Sequence, residues 1–162
     1  MFALTFEAVA NKALISLSRE RYIMLATSLN DKVMIKQISQ ITHKTAIYFV
    51  INNTSEEYSQ LKHNHNVAFA VKRMQFEAIA EICGHPTQDS DFCKRYKKRF
   101  SESFGEGVDS IREVLVRAFI TKIRFHEISS GEIWIDTVDF IKRIAYREPS
   151  ECIRVYDPHH YI

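Results

Sequence analysis

From Thr5 to Ser18 the apolar residues Phe6, Val9, Ala10, Ala13, Leu14 and Leu17 recur every three or four positions, which lines one face of a helix. The pattern then changes. Arg21–Ser28, RYIMLATS, is an apolar run bounded by polar residues and reads as a buried strand. After a turn at Leu29–Asp31, KVMIKQISQI alternates: Val33, Ile35, Gln37, Ser39 and Ile41 face one way, Met34, Lys36, Ile38 and Gln40 the other. A third strand, TAIYFVIN, is rich in aromatic and β-branched residues. A short helix over Ser55–Lys62 follows. Two further strands, NVAFAVKR and FEAIAEICGH, are joined near Met74 and Gln75 and stopped by Gly84, His85 and Pro86. Short connections with one helical insert predict a meander that curls into a barrel.

Downstream, Phe92, Tyr96, Phe100 and Phe104 stand four residues apart behind Asp89 or Ser90 as cap, predicting an amphipathic helix that ends near Gly105. A second short helix is expected over Asp109–Leu115. RAFITKIRFHEIS is then a long strand and GEIWIDTV a last one, separated by a Ser-Gly turn. From Asp139 to Ile162 the chain has no clear period. No repeat, low-complexity tract or linker interrupts the 162 residues, so one domain is expected, with residues 139–162 as a C-terminal extension.

Composition narrows the function classes. Apolar residues make up 46% and charged residues 26%, a soluble globular balance, and a net charge of +2 gives no support to nucleic acid as a partner. The cations of KRYKKR are read as the solvated side of the Phe92 helix. Cys83, Cys93 and Cys152 are odd in number and widely spaced, which fits reduced thiols in a cytoplasmic protein. Neither a signal-type segment nor a run of roughly 20 apolar residues is present, so no membrane partner is expected. His63 with His65, and His159 with His160, lack cysteine or carboxylate partners at metal-ligand spacing, so no metal site is assigned. Without a Ser-His-Asp spacing, a P-loop or a dinucleotide glycine motif, an enzyme with this sequence depends on a cofactor for its chemistry.

The order of helix, YIMLATS, alternating strand, AIYFVINNTSEEYSQLKHNHNVAFAV and MQFEAIAEICGHPTQ resembles the FMN-binding split barrels related to pyridoxamine 5′-phosphate oxidase. The resemblance spans roughly residues 5 to 130, and Ser55, Leu61, Asn64 and Val67 fall at matching places without a gap. It implies a mainly β split barrel with flanking helices that works as a homodimer. It also implies FMN held across the dimer interface, and an oxidoreductase passing electrons from a reduced nicotinamide to a small acceptor. Carried over residue by residue, it implies cofactor contacts at Lys36 on the second strand, Val50 and Ile51 along the flavin edge, Ser55 in the turn, and Gln75. It assigns no catalytic acid or base.

One departure is plain. Glu56 and Glu57 stand where members carry Arg and Lys. A carboxylate about 4 Å from a phosphate, at an effective dielectric near 20, is repelled by about 4 kcal/mol. A micromolar affinity is worth only about 8 kcal/mol. The same residues fit a capping box, with Thr54 as N-cap and Glu57 reaching back to its amide. The frame of an FMN site is therefore present and its phosphate clamp is not. The alternative is a split-barrel binding or regulatory protein that has lost FMN, with haem as a further candidate, although no histidine is singled out as an axial ligand.

Overall fold

The computed structural model describes residues 1–102 and 111–150. Among them, ten strands run β1 (Phe2–Leu4), β2 (Tyr22–Leu29), β3 (Lys32–Ser39), β4 (Ile41–His43), β5 (Ala46–Asn52), β6 (Asn66–Val71), β7 (Met74–Gly84), β8 (Glu113–Ser129), β9 (Glu132–Asp139) and β10 (Ile144–Pro149). Three α-helices accompany them, α1 (Phe6–Arg19), α2 (Glu56–Leu61) and α3 (Ser90–Arg99), with a short 3-10 helix at Pro86–Gln88.

The strands form one antiparallel system in the order β1-β10-β9-β8-β7-β6-β2-β3, with β4 and β5 attached through β8. The long strand β8 organises it. One edge pairs with β5 from Glu113 to Phe119 and then with β9 from Lys122 to Ser129, while β7 runs along the other edge. Changing partners midway splits the sheet into a barrel and a flanking wing. β3 approaches β5 without a ladder between them, which leaves a seam, and α2 packs there against β2 and β5. The β2–β3 hairpin is tight because Asn30 and Asp31 adopt φ of 48° and 63°, the turn geometry that matches strand twist.

Alternation assigns the two sides of β5. Ile47, Phe49 and Ile51 are buried in the main core with Leu25, Phe69, Phe76 and Ile123. Val50 and Tyr48 turn the other way and pack with Phe92, Phe100 and Leu115 beneath α3. α1 lays Ala10, Ala13 and Leu17 on the core. Its last turn is held by the fully buried Gln40, whose amide donates to the carbonyls of Leu17 (3.0 Å) and Glu20 (2.5 Å) and accepts from the Thr42 hydroxyl (2.7 Å).

Several expectations are corrected. The β6–β7 joint is Lys72–Arg73, with Lys72 at φ 51°, and both Met74 and Gln75 lie within β7. α3 stops at Arg99 rather than near Gly105. Phe100 leaves the helix at φ −127° to bury its ring against Tyr96, and Phe104 and Gly105 lie outside the described residues. The expected second helix lies partly outside them as well, and its end, Glu113–Leu115, is strand, because β5 and β7 flank that segment and supply its hydrogen bonds. Part of the aperiodic tail is β10, which pairs with β9, and β1 closes the edge beyond it.

Candidate functional site

The turn that enters α2 is built by local hydrogen bonds. The Asn52 side-chain oxygen accepts from the Thr54 amide (2.9 Å) and from the Thr54 hydroxyl (2.7 Å), and the Ser55 amide donates to the Asn52 carbonyl (3.0 Å). With its hydroxyl committed to Asn52, Thr54 is not the N-cap. Ser55 is: its backbone is extended, and its hydroxyl oxygen accepts from the Tyr58 amide at 3.2 Å. Glu57 consequently sits one residue too early to close a capping box, so both parts of that expectation are overturned.

Glu57 points inward instead and is 8% exposed. Burial pushes its carboxyl up. Hydrogen bonds from its own amide and from Ser55, together with the Lys36 ammonium 3.7 Å away, outweigh burial and hold it below the usual carboxylate range. Glu56, half-exposed, pairs with Lys32. Both carboxylates of the first turn therefore face cations of β3. Behind them, Thr27 donates to Gln60 at 2.6 Å in a buried contact, and Asn64 donates to the Ser28 carbonyl at 3.0 Å, fixing the C-terminal end of α2 and the residues after it on β2.

The five residues expected at the cofactor fall in separate places. Lys36 and Ser55 meet through Glu57. Ile51 is 3% exposed within the barrel, and Val50 is half-buried towards α3. Their backbone is better placed, since β4 pairs β5 only from Ala46 to Tyr48 and the stretch beyond follows the seam. Gln75 is exposed on the outer sheet face, in register with Ala70 and Arg124. Lys36 is in register with Leu25, so it shares the opposite face. Three strand spacings of about 4.8 Å, or about 14 Å, separate Lys36 from Gln75.

Around Gln75 lies a groove of about 520 Å³ whose walls include Met24, Ala26, Ile35, Ala70 and Arg124. Alanines on β2 and β6 leave a flat floor. Ile35 is 65% exposed, and Val33, Met24, Ile79 and Phe119 are also uncovered on strands of this sheet. So much exposed apolar surface marks a place for a ligand or a partner. Lys122 at the far side pairs with Glu77 at 3.4 Å. Met24, Ala26, Ala70 and Arg124 are not singled out by the sequence reading. The available signal was the small-residue alternation of NVAFAV beside the exposed half of KVMIKQIS. A second cavity, of about 370 Å³, lies between the β4–β5 hairpin and α3, where His43, Lys44, Arg95 and Arg117 are interspersed with Asp89 and Asp91. His63 and His65 each place Nδ1 against a backbone carbonyl, of Ser59 (3.0 Å) and Ala80 (3.1 Å), which gives both a structural role.

No protein-family model matches the chain, and no curated protein matches its sequence. Solved structures do resemble it. A putative pyridoxamine 5′-phosphate oxidase from Listeria innocua aligns over 72% of this chain and 97% of its own, at 14% identity and a TM-score of 0.60. An FAD-binding protein from Mesorhizobium loti covers 76% of this chain and 96% of its own, at 15% identity and a TM-score of 0.55. HutZ, the heme storage protein of Vibrio cholerae, covers 72% and 91% respectively, at 14% identity and a TM-score of 0.55.

Proposed function

From the split barrel that this chain shares with pyridoxamine 5′-phosphate oxidase-like structures, we propose that it works as a homodimer holding a flavin ring in the groove around Gln75. The observation that carries the reading is the uncovered apolar outer face, which combines a flat alanine floor with a single amide at its edge. Lys36 and Ser55 lie on the opposite face from Gln75, so one ligand reaches all three only if a second copy brings its own α2 turn to the groove. A two-fold interface of upward of about 2,000 Å² would cover the exposed aliphatic residues at the same time.

Bound there, a flavin supplies hydride and electron transfer from a reduced nicotinamide to a small acceptor. The chain itself supplies position. Met24 and Ile35 pack the ring and exclude water, and the Gln75 amide selects its orientation by hydrogen bonding to the polar edge. Arg124, beside Gln75 across the ladder, favours negative charge developing at that edge. We assign no general acid or base to the groove, so proton transfer would be left to the flavin and solvent.

A second reading, a binding module without FMN, is favoured by one observation: both β3 lysines near the turn are already paired with carboxylates. The absorption spectrum of purified protein separates the two readings. Flavin bands support the first and an intense porphyrin band the second. Light scattering is expected to give twice the 18.9 kDa chain mass. Ala70→Arg, which fills the groove floor with a charged side chain, is expected to abolish flavin binding and weaken the dimer. Flavin binding unchanged in that variant would refute the site.

A further inference from the structure

We infer that the α2 turn is closed to phosphate and that the ligand of this site is a flavin ending in a neutral polyol chain, riboflavin rather than FMN. The inference rests on the flavin reading above and adds which flavin.

Donors come first. A phosphate at a helix start needs unclaimed amides and free cations. Here the Thr54 amide is bound to the Asn52 side chain, the Ser55 amide to the Asn52 carbonyl, the Glu57 amide to its own carboxylate and the Tyr58 amide to Ser55. The Ser55 hydroxyl is engaged with both Tyr58 and Glu57.

Charge points the same way. The two β3 cations at the turn, Lys32 and Lys36, are matched one to one by Glu56 and Glu57, so these four side chains sum to zero. Lys62 stands at the other end of α2, its ammonium 5.2 Å over the Tyr58 ring. Lys72 is bound to Glu20 at 2.6 Å. A phosphate that took Lys36 and the Ser55 hydroxyl would displace Glu57 from both and leave its buried carboxylate with its own amide alone. Protonation does not relieve this near neutral pH, since Glu57 stays ionised well below it.

What repels phosphate receives hydroxyls. The half-exposed Glu56 carboxylate and the exposed Asn53 side chain offer acceptors at the rim of the turn, and a ribityl chain offers donors without charge. Carboxylate acceptors make the stronger, charge-assisted bonds to such donors.

The test is titration of the purified homodimer with riboflavin and, separately, with FMN, followed by quenching of flavin fluorescence. At neutral pH riboflavin is expected to bind at least about ten-fold tighter than FMN, the order that even a screened charge repulsion produces. Glu57→Gln, which keeps an acceptor in the same volume, should narrow the preference. Glu56→Lys, which places a cation at a half-exposed position, should narrow or reverse it by strengthening FMN binding. A thermal melt of each variant confirms folding, and the two substitutions do not share a folding risk. FMN binding more tightly than riboflavin to the unaltered protein, or a ratio indifferent to both substitutions, overturns the phosphate inference and leaves the flavin site standing. Failure of both flavins to bind overturns the flavin site and the phosphate inference alike.

Discussion

Ser55→Ala tests the local construction of the site and discriminates it from the capping box that the sequence suggests. The substitution removes one hydroxyl with two roles. It deletes the N-cap bond to the Tyr58 amide, which costs about 1 kcal/mol. It also deletes a hydrogen bond to the buried Glu57 carboxylate, a class worth about 1.5–3 kcal/mol, of which Lys36 and the Glu57 amide recover a part. A net loss of about 2 kcal/mol is expected. α2 has only six residues and cannot make this up from intrinsic helicity. Thr54→Ala removes an exposed bond to Asn52 and should cost less than about 0.5 kcal/mol.

The pH dependence carries a sign. The Glu57 carboxyl is held below its ordinary range in the folded chain, so its stabilisation is full above the unfolded carboxylate pKa and is lost as pH falls through the folded value. Ser55→Ala raises that folded value towards the ordinary one. The gap between wild type and variant should therefore be widest near neutral pH and shrink in acid. Urea unfolding at fixed protein concentration, repeated across pH, supplies the measurement. Equal stability of Ser55→Ala and wild type, or a larger loss in Thr54→Ala, would refute the assignment of Ser55 as cap.

Two further outcomes follow from buried polar contacts. Gln40→Leu keeps the volume but removes one donor each from the Leu17 and Glu20 carbonyls, which retain the Glu20 amide and the Arg99 guanidinium, and takes the acceptor from the Thr42 hydroxyl, so it should lower stability by about 2 kcal/mol, read from the urea midpoint at constant slope. Arg147→Ala strands Asp136, which is 2% exposed and held by two bonds of 2.6 and 2.8 Å, and should cost about 3 kcal/mol; hydrogen exchange should then quicken first along β10, the strand this pair fastens to β9.

Much of the barrel was legible in hydrophobic period, because period reports which side of each segment avoids water. α1, β2, β3, β5, the α2 insert and the β6–β7 pair all stand within a few residues of their predicted places. So does the division of β3 into two faces, with Val33 and Ile35 together and Met34, Lys36 and Ile38 opposite. Pattern could not say that the Ile35 face is the uncovered one, since that depends on which strands lie alongside. It missed β1 and β10, which bury little beyond Ala145 and exist through pairing of β10 with β9, of β1 with β10, and the Arg147–Asp136 contact. It placed a helix where β8 begins, because the hydrogen bonds that make Glu113–Leu115 a strand come from β5 and β7, distant in sequence.

At the site the division is sharper. Residue types alone put two acids in the first turn of α2 and a serine before them, and that excess of negative charge is independent of any fold. Whether Thr54 or Ser55 caps the helix was settled by the side chain of Asn52, and the fate of Glu57 by a lysine on another strand. Gln75 and Lys36 could be named from the sequence, but not their separation onto opposite faces of one sheet, because register and pleat are properties of the paired strands and not of either segment alone.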